Sequence, residues 1–269
     1  MAKKNCPACE GTGWKLVDVA GVVRAKRCDC NLEGRPGDLL RHAHIPPRYE
    51  HCTFENYFVR RDPATGHLDS YLETAKRWAQ HFVEEYPVDF GLIFTGPTGV
   101  GKTHLAVAVL RELMARQNVE CLFSDFRELL QEIRESYDPV SETSELRLLH
   151  PVVEAEVLLL DELVSANPSA WVRERLAYII NARYNQKKVT LITTTLPFGD
   201  PVERSGGKAE KAASGKMPSG EAIPNLERSL DQFGVTLSSR LYEMCKPIEI
   251  RAEDFRKAVN QAGYRFHAE

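Results

Sequence analysis

From about residue 49 onward, the hydrophobic positions of the chain follow two different spacings. Apolar residues three and four positions apart predict amphipathic helices, and short unbroken apolar runs predict buried strands. In the first such helix, for example, Leu72, Ala75 and Ala79 fall on one face. The predicted helices are Asp69–Tyr86, His104–Gln117, Phe126–Tyr137 and Ala170–Asn185, and the predicted strands are Phe90–Thr95, Val119–Ser124, Glu156–Leu160 and Val189–Leu196. Because strands and helices alternate, the pattern predicts an α/β fold with a parallel sheet and right-handed crossovers.

Residues 201–224 interrupt this pattern. The segment contains four Gly, three Ser and three Pro and few large apolar residues, so it cannot bury enough surface to offset the entropy of ordering it. We predict a disordered insertion here. The pattern then resumes with helices Leu226–Phe233 and Leu237–Glu243, a strand Pro247–Ile250 and a closing helix Ala252–Gln261. Nearer the N-terminus, residues 31–47 are predicted to form a linker or a short helix that a Pro-Pro pair ends.

Length and composition are those of a soluble globular protein. The 269 residues correspond to about 1.8 average domains, enough for one large core and a small accessory module. Hydrophobic residues make up 43% and charged residues 27%, which excludes a fully disordered chain, a collagen and a coiled-coil rod. The net charge of −3 favours neither presence nor absence of nucleic acid binding. No apolar run approaches the roughly 20 residues of a membrane helix, and no signal peptide is visible. We therefore expect no membrane partner and a cytoplasmic protein.

The segment Gly96–Thr103 matches the phosphate-loop pattern G-x-x-x-x-G-K-[ST] at every defined position. A predicted strand precedes it and a predicted helix follows it, as that motif requires. Its glycines let backbone N–H groups surround phosphate oxygens, and the helix N-terminus adds positive potential. We expect Lys102 to contact the β- and γ-phosphates and the Thr103 hydroxyl to bind magnesium. ATP and magnesium are therefore the expected cofactors.

A second part of such a site is an apolar strand that ends in an acid. The run Val157–Leu160 is followed by Asp161 and Glu162, and ligands bind at the carboxyl ends of strands in an open α/β sheet. We expect Asp161 to bind magnesium through water and Glu162 to polarise the attacking water as general base. The alternative, a buried strand capped by two solvated acids, is disfavoured by the phosphate loop.

Four of the seven cysteines lie in the first 30 residues, as Cys6-x-x-Cys9 and Cys28-x-Cys30. Two close thiolate pairs suit a tetrahedral zinc site, because each short pair forms one turn around the metal. The alternatives are free cysteines in a flexible basic leader, since residues 1–30 carry six Lys or Arg against three acids, or ligands supplied by His42 and His44. We expect a zinc-binding module with its linker at residues 1–44, followed by an ATPase domain at residues 45–269.

Taken together, these motifs identify a resemblance to bacterial helicase loaders of the DnaC/DnaI type, within the AAA+ DnaC/IstB-like family. The resemblance runs from about Ile45 to Arg256. It is carried by IPPRYEHCTFENY (Ile45–Tyr57), GPTGVGKTH (Gly96–His104), VLLLDEL (Val157–Leu163), YIINARYNQKKVTLITTTL (Tyr178–Leu196), SSRLYEMC (Ser238–Cys245) and EDFRKAV (Glu253–Val259). The cysteine-containing leader also resembles the zinc-binding leader of some loaders, and its CxxCxGxG part is similar to the zinc repeats of J-type chaperones.

The resemblance implies a three-layer P-loop NTPase fold and a role for each matched residue. The nucleotide is bound by the loop residues Gly96, Pro97, Thr98, Gly99, Val100, Gly101, Lys102, Thr103 and His104. The segment Ile45–Tyr57 lies beside the nucleotide base. Thr195 takes the sensor-1 position, where the family usually has Asn, and this departure bears on the hydrolysis rate. Arg240 matches an arginine finger that acts in trans, and Arg256 matches sensor 2. For each arginine the alternative is a surface salt bridge.

The resemblance further implies a loader that binds the replicative hexameric helicase through its N-terminal module and places it on single-stranded DNA. It also implies self-association when assembled on helicase or DNA. Two alternatives remain: an IstB-like transposition helper, and an adaptor that binds ATP without hydrolysing it. Helix Phe126–Tyr137 holds the position at which relatives contact single strands, yet carries more acids than arginines. A more basic group of residues follows in the next predicted helix and just after it. Three alternatives stay open for this group: contact with DNA, with a neighbouring subunit or with the core. Its members are Arg173, Arg175, Arg183, Lys187 and Lys188.

Overall fold

The computed structural model describes residues 6–19, 22–28, 35–61, 68–163, 168–196 and 233–257. The helices are α1 (Arg35–His42), α2 (Ser70–Glu85), α3 (Lys102–Gln117), α4 (Phe126–Glu135), α5 (Glu145–Glu154), α6 (Ala170–Asn185) and α7 (Val235–Met244). The strands are β1 (Trp14–Val19), β2 (Val22–Arg27), β3 (Gly91–Thr95), β4 (Cys121–Asp125), β5 (Val157–Asp161), β6 (Val189–Thr194) and β7 (Cys245–Glu249). None of the described helices combines the length and the apolar character needed to cross a bilayer.

Five strands form one parallel sheet in the order β4-β5-β6-β3-β7. Side chains alternate between its two faces: on β3, Leu92 and Phe94 join one core cluster, whereas Ile93 joins the other. Helices α2 and α3 pack on the first face, and α4 to α7 pack on the second. The predicted three-layer α/β sandwich is thereby confirmed, and it places β3, which leads into the phosphate loop, between β6 and β7.

Short polar side chains fix where several helices begin. The Asp69 carboxylate accepts the N–H groups of Tyr71 and Leu72 at the start of α2, and Asp125 does the same at the start of α4. Ser144 and Ser169 cap α5 and α6 in a similar way. Such caps satisfy N–H groups that have no partner within the helix. The start of α4 is therefore fixed immediately after β4, which keeps Arg127 close to the carboxyl end of the sheet.

Helix α5 and the strand pair β1 and β2 were not predicted from the sequence pattern. Helix α5 contains Pro151, which removes a backbone donor and ordinarily marks a helix end. The antiparallel pair β1 and β2 forms a hairpin in the cysteine-rich leader, where the glycines and charges conceal strand alternation. Residues 35–42, predicted as linker or short helix, form α1.

The C-terminal elements differ from their predicted bounds. Helix α7 begins at Val235 and runs directly into β7, whereas the prediction separated the two. The chain is not helical from Ala252 to Asp254, and helix begins at Phe255, since the Asp254 carboxylate accepts the Arg256 N–H in the manner of a cap. The predicted helix Leu226–Phe233, apart from its last residue, and the predicted insertion 201–224 lie outside the described residues.

For Arg183, the structure selects the core among the alternatives that the sequence left open. This side chain is fully buried (0% exposed), and its guanidinium donates to the carbonyl oxygens of Val152, Val153 and Ala155 at 2.9 to 3.1 Å. Its Nε also donates to Thr190 Oγ1 at 3.0 Å. Val152 and Val153 lie in the last turn of α5, and Ala155 is its C-terminal capping residue. A cation is favoured at this end of a helix. Arg183 is therefore a core residue that ties α5 and α6 to β6 and is not available to DNA.

Candidate functional site

The phosphate loop follows β3 directly and ends at the first residue of α3, Lys102. Glycine is required at two positions of the loop, where side chains from other segments lie very close to the loop backbone. Gly99 has φ +82, and a Cβ there would lie 1.9 Å from a carboxylate oxygen of Asp254. Gly101 has φ +93, and a Cβ there would lie 2.7 Å from the Tyr57 ring. Any larger residue would therefore displace the segments that flank the loop on both sides.

Lys102 extends back along this loop. Its Nζ donates to the carbonyl oxygens of Gly96 at 2.9 Å and Pro97 at 2.6 Å. Burial lowers the pKa of Lys102 to about 8, against the opposing influence of Asp161 and Glu162. The ammonium group is thus held inside the loop, in the position from which a lysine neutralises phosphate charge.

Asp161 lies at the end of β5, beside the first turn of α3. It is 2% exposed, and one of its carboxylate oxygens accepts hydrogen bonds from Thr103 Oγ1 at 2.9 Å and Thr193 Oγ1 at 2.5 Å. Burial raises the pKa of Asp161, whereas the two hydroxyl donors lower it. A hydroxyl and a carboxylate at this separation provide the oxygen ligands that magnesium takes in nucleotide sites. Thr103 and Asp161 are the residues that fit a magnesium ion here.

Glu162 projects into the cleft from a left-handed backbone. Its φ is +54, its side chain is 53% exposed, and its carboxylate lies 3.8 Å from the Arg127 guanidinium of α4. The N–H of Glu162 donates to Thr193 Oγ1 at 3.0 Å. An exposed carboxylate next to the magnesium position is placed to receive a proton from an attacking water.

A cleft of about 490 Å³ lies between the phosphate loop and the segment that follows α1, and Lys102, Thr103 and Glu162 are among its lining residues. The segment Ile45–Tyr57 contributes one wall of this cleft, and its cleft-lining residues are Arg48, Tyr49, His51, Cys52, Asn56 and Tyr57. His104 contacts the same wall: its Nε2 lies 2.9 Å from the Thr53 carbonyl oxygen, and its ring meets the Tyr57 ring edge to face. Burial lowers the pKa of His104, against the opposing hydrogen bond to Thr53, and so favours the neutral ring.

The three remaining site residues are placed differently. Thr195 and Arg256 both line the cleft. Arg240 lies on α7, donates to the Asn181 amide oxygen and stacks over the Tyr184 ring, both on α6. It does not belong to the described lining of its own cleft. The structure therefore brings Thr195 and Arg256 to the phosphate loop and keeps Arg240 apart from it.

The cysteine cluster forms below the β1–β2 hairpin. The sulfur atoms of Cys6, Cys9 and Cys28 all lie within 4.8 Å of one another, with Cys6 and Cys28 at 3.5 Å. A turn joins Cys6 to Glu10, and the Cys28 N–H donates to the Gly13 carbonyl at the base of the hairpin. Three converging thiols fit a zinc ion. Cys30 lies outside the described residues. Neither His42 nor His44 belongs to the metal-ligand group found among the described residues.

Three of the other basic residues that were considered for DNA contact make contacts within the chain. Arg175 pairs with Glu145 at 2.7 Å, and Lys188 pairs with Glu154 at 2.7 Å. Arg173 donates to the Pro168 carbonyl. These contacts lie on the α5 and α6 side of the sheet.

Sequence reasoning missed Thr193. It selected Thr195 from the triplet Thr193–Thr195, but Thr193 is the residue that contacts both Asp161 and the Glu162 backbone. It also missed Asp254, whose carboxylate packs against Gly99. The run of three threonines after an apolar strand was the signal for the first. For the second there was no signal, because the contact joins segments that are far apart in the sequence.

Comparison with known proteins places the chain in a family. A family model described as IstB-like ATP binding protein matches residues 67–207. The replicative helicase loader DnaC of Buchnera aphidicola subsp. Schizaphis graminum is 27% identical over 158 residues, 59% of this chain and 61% of that protein. DnaC of Escherichia coli (strain K12) is 28% identical over 151 residues, 56% of this chain and 58% of that protein. The match thus spans about three fifths of the length of these relatives.

Solved structures agree with this assignment. A crystal structure of the DnaC helicase loader superposes with a TM-score of 0.58 at 27% identity, over 76% of this chain and 99% of that chain. DnaA from Aquifex aeolicus bound to AMPPCP superposes with a TM-score of 0.51 at 17% identity, over 84% of this chain and 58% of that one, which shows a shared fold. Since the family model covers more than half of the sequence, the chain belongs to the IstB-like ATP-binding protein family, on the AAA+ P-loop fold that it shares with DnaC.

Proposed function

We propose that this protein is a magnesium-dependent ATPase that binds a replicative hexameric helicase and helps to place it on single-stranded DNA, a process of the bacterial cytoplasm. The observation that carries the ATPase part is the contact between Thr103 and Asp161 beside the Lys102 ammonium, because it assembles both halves of an ATP–magnesium site. The helicase part is supported by relatives that are named replicative helicase loaders.

In this proposal each residue of the cleft has one task. Lys102 neutralises phosphate charge, and Thr103 and Asp161 hold magnesium, which supplies charge neutralisation at the phosphates when it is bound. Glu162 accepts a proton from the attacking water. Thr195 and Arg256 contact the γ-phosphate from the same chain, since both line the cleft. Arg240 acts in trans on the nucleotide of a neighbouring copy, which accords with its place on α7, outside its own cleft.

The N-terminal cysteines are proposed to bind one structural zinc ion. Cys6, Cys9 and Cys28 supply three thiolates, and Cys30 is the proposed fourth ligand. The metal would hold the β1–β2 hairpin as a module, which is small enough to need such a staple. We propose that residues 1–44 contact the helicase and that residues 45–269 hydrolyse ATP.

Co-purification tests this function. The full chain is mixed with a replicative hexameric helicase and, in parallel, with a transposase, each with ATP and magnesium. Association with the helicase supports loading, and association with the transposase alone supports the transposition helper after which the family model is named. Steady-state turnover with and without single-stranded DNA then separates an ATPase from an adaptor that only binds ATP. Single-strand binding should weaken steeply with salt, because phosphate contacts release counterions.

A further inference from the structure

The regular pairing of β5 with β6 ends one residue before the acids of the site. The last paired residues are Leu160 and Ile192. Beyond them, threonine hydroxyls join the two segments: Thr193 Oγ1 donates to Asp161 at 2.5 Å, and Thr194 Oγ1 donates to the Leu163 carbonyl at 2.5 Å. The Leu163 N–H in turn donates to the Thr193 carbonyl at 2.9 Å. The connection between the two strands is therefore continued by two threonine hydroxyls and one backbone hydrogen bond where the regular ladder stops.

Within this arrangement, the Thr193 hydroxyl is used in two directions. It donates its proton to the Asp161 carboxylate and accepts the Glu162 N–H at 3.0 Å. One oxygen atom thus contacts the magnesium-binding acid and the backbone of the general base at the same time. Thr193 borders the cleft but is only 1% exposed, so its hydroxyl is turned toward these two partners and away from solvent.

Glu162 needs such a support. A glutamate at φ +54 lies in the left-handed region, which residues with a Cβ adopt only when the surrounding structure fixes them, at a cost of about 1 kcal/mol or more. Its side chain is half exposed, and its recorded ion pair, to Arg127, is at 3.8 Å. The direction of its carboxylate is therefore set by its backbone, and the Thr193 hydroxyl is the side-chain group that accepts its N–H.

We propose that Thr193 is a positioning residue for ATP hydrolysis, whose hydroxyl orients Glu162 toward the water and holds the Asp161 carboxylate in place. This inference rests on the proposed ATPase function and names a further residue of the same site. Thr193 acts through Glu162 and Asp161, so its loss should lower turnover more than nucleotide affinity. A displacement of the base by about 1 Å costs roughly 100-fold in rate.

Three variants of the full chain test this role. Thr193→Val removes both hydrogen bonds of the hydroxyl and keeps the shape of the side chain. Thr193→Ser keeps the hydroxyl and loses only the methyl group. Thr190→Val is the matched control. Thr190 is on the same strand, is equally buried and accepts the Arg183 Nε–H away from the cleft. The measurements are kcat, KM, the Kd of a fluorescent ATP analogue with magnesium, and the melting temperature.

We expect Thr193→Val to lower kcat by about tenfold or more while the Kd stays within about threefold, and Thr193→Ser to recover kcat to within about threefold of the parent. Thr190→Val should lower the melting temperature and leave kcat within about twofold. If Thr193→Val does not melt cooperatively, Thr193→Ala removes the same bonds without a methyl group beside Asp161 and must meet the same criteria.

A double variant separates positioning from general damage. With Glu162→Gln already present, Thr193→Val should produce little further loss of kcat, because residues that act as a unit are not additive. A fully additive loss, a parent-like kcat for Thr193→Val, or no recovery with serine would each overturn the inference while leaving the ATPase proposal intact. A parent protein that binds ATP but never turns it over, with helicase or DNA present, refutes the ATPase proposal, and this inference falls with it.

Discussion

The Thr103 hydroxyl lies 2.9 Å from a carboxylate oxygen of Asp161. This contact joins the first turn of α3 to the end of β5 across the carboxyl edge of the sheet. It forms because β3 and β5 each pair with β6 and therefore end at the same level. Two short motifs that are far apart in the sequence thus become one oxygen-lined site next to the Lys102 ammonium.

Substitutions of Lys102 and Glu162 should have opposite effects on binding and turnover. Lys102→Ala removes the cation that neutralises phosphate in the ground state, so we expect the Kd for ATP to rise by about tenfold or more. Glu162→Gln keeps the size of the side chain but cannot accept the proton, so kcat should fall by about 100-fold or more with a nearly unchanged Kd. Binding of a fluorescent ATP analogue and phosphate release measure the two effects. A Glu162→Gln protein with the parent rate would refute the general-base assignment.

Arg240→Ala should leave ATP binding by the isolated chain nearly intact and remove hydrolysis that depends on assembly. Arg240 contacts Asn181 and Tyr184 of its own α6 and is not among the described residues that line its own cleft, so in the proposed mechanism it serves a neighbour's site. The loss in assembly-dependent kcat should be about a thousandfold.

Mixing subunits tests whether this arginine acts in trans. Arg240→Ala and Lys102→Ala proteins, combined with helicase or single-stranded DNA to drive assembly, should recover part of the parent rate. One subunit supplies an intact phosphate loop and the other an intact Arg240. If the co-assembled mixture runs only at the sum of the two single variants, the shared site does not exist.

Metal analysis of protein purified without chelator should give about one zinc per chain, and changing Cys6 and Cys9 to Ser should remove it. The sulfur atoms of these residues and of Cys28 converge within 4.8 Å, in a cluster separate from the two clusters of the sheet. ATP binding by the double variant should therefore persist. Protein that carries no zinc, or a double variant that unfolds as a whole, would contradict a separate zinc module.

Replacing Arg183 with Met should destabilise the protein strongly, by about 3 kcal/mol or more. The substitution removes the Arg183 donor from the carbonyl oxygens of Val152 and Ala155, whereas the Val153 carbonyl keeps a hydrogen bond from Lys188. Urea unfolding measures the loss. Lys188→Met is the control: Lys188 pairs with Glu154 and also donates to the Val153 and Glu154 carbonyls at the same helix end, but its loss leaves the Arg183 bonds in place and should cost much less. Equal losses in the two variants would show that the buried guanidinium has no special role.

Sequence could predict the parts of the site that are contiguous. The phosphate loop and the pair Asp161–Glu162 are local patterns, and their flanking strands are apolar runs that only a buried sheet explains. The run of three threonines marked the end of β6, but which of the three contacts Asp161 depends on the register of β6 against β5. The sequence left open whether Arg183 lies on a surface or in the core, because charge usually indicates exposure, whereas here a helix end supplies enough acceptors to bury it. Helix α5 was missed because Pro151 is tolerated within it.

The position of β7 has a consequence for how the protein is made. This strand is the last in the described chain, yet it pairs with β3, and the residues after it bond to the phosphate loop: the Phe255 N–H donates to the Gly99 carbonyl, and the Ile250 N–H to the Thr95 carbonyl. A ribosome-bound chain that has released β3 to β6 therefore has the loop but not its outer wall. Because these bonds close one side of the loop, we expect a chain that ends before β7 to bind ATP more weakly than the full chain does.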